Sequence, residues 1–74
     1  TKKMKEEYEI GDRIIITDKN HPSFGRVLEI YAIRPLALDP FEMSTLEGKF
    51  ASFFKKAQFR KATELEIVTG KLTG

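Results

Sequence analysis

The chain contains no cysteine and no tryptophan, and its only histidine is His21. Without cysteine there is neither a disulfide framework nor a thiolate zinc site, which fits a reducing, cytoplasmic setting. One histidine among scattered carboxylates does not supply the spaced ligands that a metal ion needs, so no metal or other cofactor is implied. A nucleophile elbow and a glycine-rich phosphate loop are also missing, and an enzyme is not expected. Apolar runs are only a few residues long, as at Ile14–Ile16, far short of the roughly 20 residues that cross a bilayer as a helix. No signal-peptide core is visible and no membrane partner is expected.

What remains is an ordinary globular composition: 74 residues, 41% hydrophobic and 32% charged, with a net charge of +2. One small domain with a thin core is all that this length allows. The charge permits an anionic partner without demanding one. The chain starts at Thr1 without a methionine and ends in the polar stretch Thr69-Gly70-Lys71-Leu72-Thr73-Gly74, as expected of a processed chain or a piece of a longer one. The expected organisation is a solvated, charged extension over residues 1–9, a folded unit over 10–69 and a tail over 70–74.

Along the chain, Gly11-Asp12 reads as a turn, and Arg13–Thr17 as a strand because three consecutive isoleucines suit a pleated surface. Asp18–Ser23 is a cluster of turn formers, closed by Gly25. Arg26–Ile33 follows as a strand with Val27, Glu29 and Tyr31 on one face and Leu28, Ile30 and Ala32 on the other, a pattern that predicts a central position. Pro35 and Pro40 bracket an irregular connector or a single helical turn. A third strand is expected over Phe41–Leu46 and a tight turn at Glu47-Gly48-Lys49. A fourth strand follows from Phe50 to about Phe59, then a 3-10 turn at Arg60–Glu64 and a last strand at Leu65–Val68. Five short strands in about 60 residues point to an all-β fold, a small five-stranded barrel.

Two stretches carry a family resemblance. Gly11-Asp12-Arg13-Ile14-Ile15-Ile16, a loop, and Pro22-Ser23-Phe24-Gly25-Arg26-Val27-Leu28-Glu29-Ile30 resemble a KOW motif. Phe59-Arg60-Lys61-Ala62-Thr63-Glu64-Leu65-Glu66-Ile67-Val68 is similar to the closing segment of SH3-like (Tudor-like) barrels, with a 3-10 turn before the last strand. The loop has one glycine where KOW loops often carry two, and residues 34–56 match no part of the pattern. The resemblance implies a non-catalytic domain that binds DNA, RNA or a protein of the transcription or translation machinery, with contacts in the first loop at Lys19, His21 and Arg26. Fold alone does not choose among these partners.

The charges lead in the same direction. Lys49, Lys55, Lys56, Arg60, Lys61 and Lys71 make the last third cationic, with Phe50, Phe53, Phe54 and Phe59 interleaved, while Arg34 extends a basic edge. Basic groups neutralise phosphates and aromatic faces stack on unpaired bases. The candidate nucleic-acid contacts are therefore Lys19, His21, Arg26, Arg34, Lys49, Lys55, Lys56, Arg60 and Lys61, with Phe24, Phe53 and Phe54 as candidate stacking residues. Two other readings stay open: the phenylalanines form the core with the lysines on its solvated side, and His21 is a plain loop residue. Tyr8, Tyr31 and the phenylalanines are also the raw material for an aromatic cage around a cationic ligand. A different class of function is a protein-docking module or accessory subunit acting through residues 34–56.

Overall fold

The structure, a computed structural model, describes residues 8–72. Its elements are strands β1 (Arg13–Ile16), β2 (Val27–Ile33), β3 (Phe41–Ser44) and β4 (Phe50–Phe54), a 3-10 turn (Lys56–Gln58), strand β5 (Phe59–Lys61) and helix α1 (Glu64–Thr69). The strands form one antiparallel sheet in the order β4-β3-β2-β1-β5, with β2 at its centre as its two apolar faces suggested. Among the described residues, no helix is long and apolar enough to cross a membrane.

The turns follow local chemistry. Gly25 takes φ +82° and Gly48 φ +93°, left-handed values that cost a residue with a Cβ. Between β2 and β3, the Ala37 N–H donates to the Arg34 carbonyl, and the Arg34 N–H donates to the Pro40 carbonyl, closing the connector at its neck.

Register decides what each face buries. Ile14, Ile16, Leu28, Ile30, Met43, Phe54 and Phe59 form the core cluster, with Tyr8, Ile33, Phe41 and Ala51 packed against it. At roughly 1.5–3 kcal/mol per large buried side chain, this cluster is the main stabilising element of so short a chain. Tyr8, within the segment expected to be a solvated extension, packs edge-on against Phe41 and Phe59 with ring centroids 5.8 and 5.0 Å away.

A bulge breaks the simple alternation of β2. Ile30 pairs with Met43 but Ala32 pairs with Glu42, so Tyr31 is an extra residue on its strand. Ala32 therefore moves off the face it was expected to share with Leu28 and Ile30, and Ile33 takes the core side instead.

The C-terminal third departs from the sequence expectation. The expected strand from Phe50 to about Phe59 is two strands, β4 and β5, separated by the 3-10 turn, which lies at Lys56–Gln58 rather than Arg60–Glu64. β3 ends at Ser44, two residues before Leu46. Leu65–Val68 is not a strand but part of α1. Thr63 caps this helix, its Oγ1 accepting from the Glu66 N–H while Glu66 Oε1 accepts from the Thr63 N–H. That reciprocal capping box satisfies two backbone donors at the helix start. At the other end the Gly70 N–H donates to the Glu66 carbonyl.

Ile15, Val27 and Arg60 lie side by side on the face of the sheet opposite the core, through the pairs Ile15–Val27 and Ile15–Arg60. Arg60 anchors α1 there. Its guanidinium donates to both carboxylate oxygens of Glu66, at 2.9 and 2.7 Å. Glu66 is fully buried, and the hydrogen bonds to its charged form keep the Arg60 guanidinium firmly protonated. A buried charge is tolerated only when paired and hydrogen-bonded, and here both conditions hold.

Candidate nucleic-acid interface

Two surfaces carry the predicted side chains. The first forms where the β1–β2 loop meets the segment after β4. The Thr17 and Asp18 N–H groups both donate to the Gln58 carbonyl, and the Gln58 amide donates to Asp18 Oδ2 at 2.8 Å. The Asp18 carboxyl is held below the ordinary carboxylate value, first by Gln58 and then by the Asn20 N–H, with a smaller contribution from the nearby His21. His21 braces the same corner: its Nδ1 accepts the Ser23 N–H, and its ring lies 4.6 Å from that of Phe54. This stitching brings the loop that carries Lys19 beside the segment that carries Lys55 and Lys56, more than thirty positions further along the chain, and the Lys56 ammonium lies 5.9 Å from the Tyr8 ring centroid. All three are exposed and form no ion pair among the described residues.

The second surface is the outer face of β2, β3 and β4. Here Ser44 lies opposite Phe50, and Glu42 opposite Phe53, while the bulged Tyr31 projects outward, 62% exposed. Phe50 and Phe53 are 61% and 46% exposed and lie ring to ring at 5.3 Å. Arg34 closes this row: its Nη1 donates to Glu42 Oε1 at 2.6 Å and its guanidinium sits 5.9 Å from the Phe53 centroid. A shallow groove of about 220 Å³ lies among Tyr31, Glu42, Ser44, Gly48 and Phe50.

The remaining predicted residues separate. Lys49 is exposed beside Gly48, next to the groove. Arg26 lines another cleft, of about 180 Å³, with Leu46 and Gly70. Lys61 reaches Asp12 at 3.8 Å and lies over the Tyr8 ring. Arg60 is committed to Glu66, so its role where it lies is to hold α1 rather than a phosphate. Phe54 is fully buried and offers no face to a base, whereas Phe24 and Phe53 are partly exposed. Tyr8 and Tyr31 do not converge on a shared cage, because Tyr8 packs with Phe41 and Phe59 against the core and Tyr31 lines the groove with Phe50. Among the described residues, no group of three or more His, Asp or Glu is placed to hold a metal ion.

Of the groove residues, Glu42 and Ser44 were not singled out by sequence reading, while Tyr31 and Phe50 were read as aromatic-cage material and not as parts of one groove. Their meeting depends on two register shifts, one at Tyr31 and one between Met43 and Ser44, which no periodicity announces. Comparison with family models, with curated proteins and with solved structures finds no match, so these side chains alone carry the functional argument.

Proposed function

We propose that the chain is a non-catalytic, KOW-like SH3-like barrel domain that binds nucleic acid largely independently of sequence. The barrel assignment draws support from the antiparallel order β4-β3-β2-β1-β5 and from the 3-10 turn that precedes β5. The observation that carries the functional reading is the corner at Gln58 and Asp18, which joins the loop of Lys19 to the segment of Lys55 and Lys56, with no carboxylate paired to any of the three among the described residues. Lysines in that state attract phosphates, and their binding energy comes mainly from counterion release.

The test is fluorescence anisotropy with a labelled DNA duplex and a single-stranded RNA at 50 and 200 mM salt. Three phosphate contacts give a slope of log affinity against log salt of about −2.7 on duplex and −2.1 on single strands. Affinity should therefore fall about 20- to 40-fold between the two conditions. Lys55→Glu with Lys56→Glu should remove most of the binding and flatten the slope by about two contacts' worth. Affinity that ignores salt, or survives the charge reversal, would overturn the reading.

One observation favours a second reading, docking to a protein through residues 34–56. Leu36 and Leu38 stand almost wholly in solvent in the β2–β3 connector. Under that reading, Leu36→Ser with Leu38→Ser abolishes partner capture, and the lysine reversal leaves it unchanged.

A further inference from the structure

The groove on the outer face of the sheet shares no lining residue with the lysine corner, and its lining is chemically specific. Two aromatic side chains, Tyr31 and Phe50, form its walls, and both are more than half exposed. Exposed rings of this size are costly to leave in water, and a flat, polarisable ligand would cover them. The groove also contains Ser44 and Glu42, which are mostly buried. Arg34 occupies Oε1 of Glu42, and among the described residues no protein donor engages Oε2. An ionised carboxylate can only accept hydrogen bonds, so this groove favours a ligand that is flat and carries N–H donors on its edge.

The surroundings add a second constraint. β4 carries both exposed phenylalanines, with Lys49 just before it and Lys55 just after it. Six residue steps of extended chain place those lysines about 20 Å apart, within the site size of a few nucleotides that a single-strand binding surface covers. A row of aromatic faces with a cation at each end matches bases joined by phosphates. A carboxylate within the groove opposes a phosphate there but welcomes a base amino group.

We propose that this groove takes one unpaired nucleobase, stacked on Phe50 beside Tyr31, and prefers cytosine over uracil because Glu42 accepts a hydrogen bond from the exocyclic amine. Uracil presents an acceptor oxygen at the same ring position, which the carboxylate repels. The inference rests on the nucleic-acid reading above and deepens it, adding single-strand preference and base choice to an electrostatic contact.

The experiment is anisotropy titration of the whole chain with labelled decamers of cytidine and of uridine and with a DNA duplex. Wild type, Phe50→Ala and Glu42→Gln are compared, with circular dichroism to verify that each variant is folded. The cytidine decamer should bind about five-fold or more tightly than the uridine decamer, the ratio expected of one hydrogen bond gained or lost. Phe50→Ala should weaken single-strand binding by about five-fold or more while leaving duplex affinity and the salt slope unchanged. Glu42→Gln should bring the two decamers close to equal affinity, because an amide can donate as well as accept. If Phe50→Ala changes single-strand and duplex affinity alike or not at all, the groove proposal is overturned and the lysine corner stands. If stacking is seen but cytidine and uridine bind equally in the wild type, the role given to Glu42 is refuted. Failure of all three ligands to bind at low salt would overturn both readings together.

Discussion

Replacing Arg60 by alanine takes from the buried carboxylate of Glu66 the guanidinium that donates two hydrogen bonds to it. In the native chain that carboxylate is fully buried and receives two hydrogen bonds from Arg60 and one from the Thr63 N–H. Removing one member of a buried pair costs about 3–5 kcal/mol. The Thr63 bond survives the substitution, so the lower end, about 3 kcal/mol, is expected. A 74-residue domain has roughly 4–11 kcal/mol of stability in total. The variant should therefore lose a large fraction of it, with a fall in Tm of about 12–24 °C. Glu66→Gln is milder, about 1.5 kcal/mol, because the amide keeps the Thr63 bond and the Arg60 side chain, already 42% exposed, turns to water. The double variant leaves no carboxylate at position 66, so it should lose about 3 kcal/mol or less instead of the summed 4.5. Urea denaturation followed by circular dichroism at 25 °C measures all four proteins. A loss below about 1 kcal/mol for Arg60→Ala, or strict additivity in the double variant, would refute the argument that the buried Glu66 is coupled to Arg60. The same series separates anchoring from phosphate contact, since a residue that only touched phosphate would lower affinity and leave stability alone.

Three other outcomes follow from the packing and the electrostatics. Phe54→Ala should cost about 3–5 kcal/mol and Phe53→Ala well under 1 kcal/mol, because the first is fully buried and the second half exposed; thermal unfolding of the two variants ranks them. Gly25→Ala should destabilise by about 1–2 kcal/mol, as its φ of +82° is strained for any residue with a Cβ, and urea midpoints report it. Asp18 has its folded-state pKa depressed, first by the Gln58 hydrogen bond, so its contribution is complete above about pH 5 and fades as pH falls through 4 and below. Asp18→Asn should flatten that part of the acid limb when stability is measured at pH 6, 4 and 3.

Much of the sheet was legible in the sequence because it rests on local effects. Ile14–Ile16 are stiff β-branched residues, Pro22 and Gly25 close a loop, and Gly48 sits where a hairpin needs a left-handed residue. The two apolar faces of Val27–Ile33 placed that strand at the centre, where it lies. The closing segment was harder, because Ile67 and Val68 favour a strand while Thr63 and Glu66 form a helix-starting pair and Gly70 a helix stop. A helix of six residues is too short to persist on its own. Only its attachment to Arg60, from a strand three residues away, settles the competition.

The lysine corner was half legible. The cations could be counted along the chain, but their grouping depends on Gln58 reaching the first loop forty residues earlier. The aromatic groove was invisible for a sharper reason. Alternation along a strand assigns faces only while register holds, and an extra residue at Tyr31 changes the face of every side chain after it. Composition and local propensity thus determined that this chain would be a small, mostly β domain with a cationic last third. Tertiary structure alone decided that Arg60 anchors α1, that Phe54 is hidden, and that Tyr31 and Phe50 line one groove with Glu42, because each of those outcomes is set by contacts between different elements of the fold.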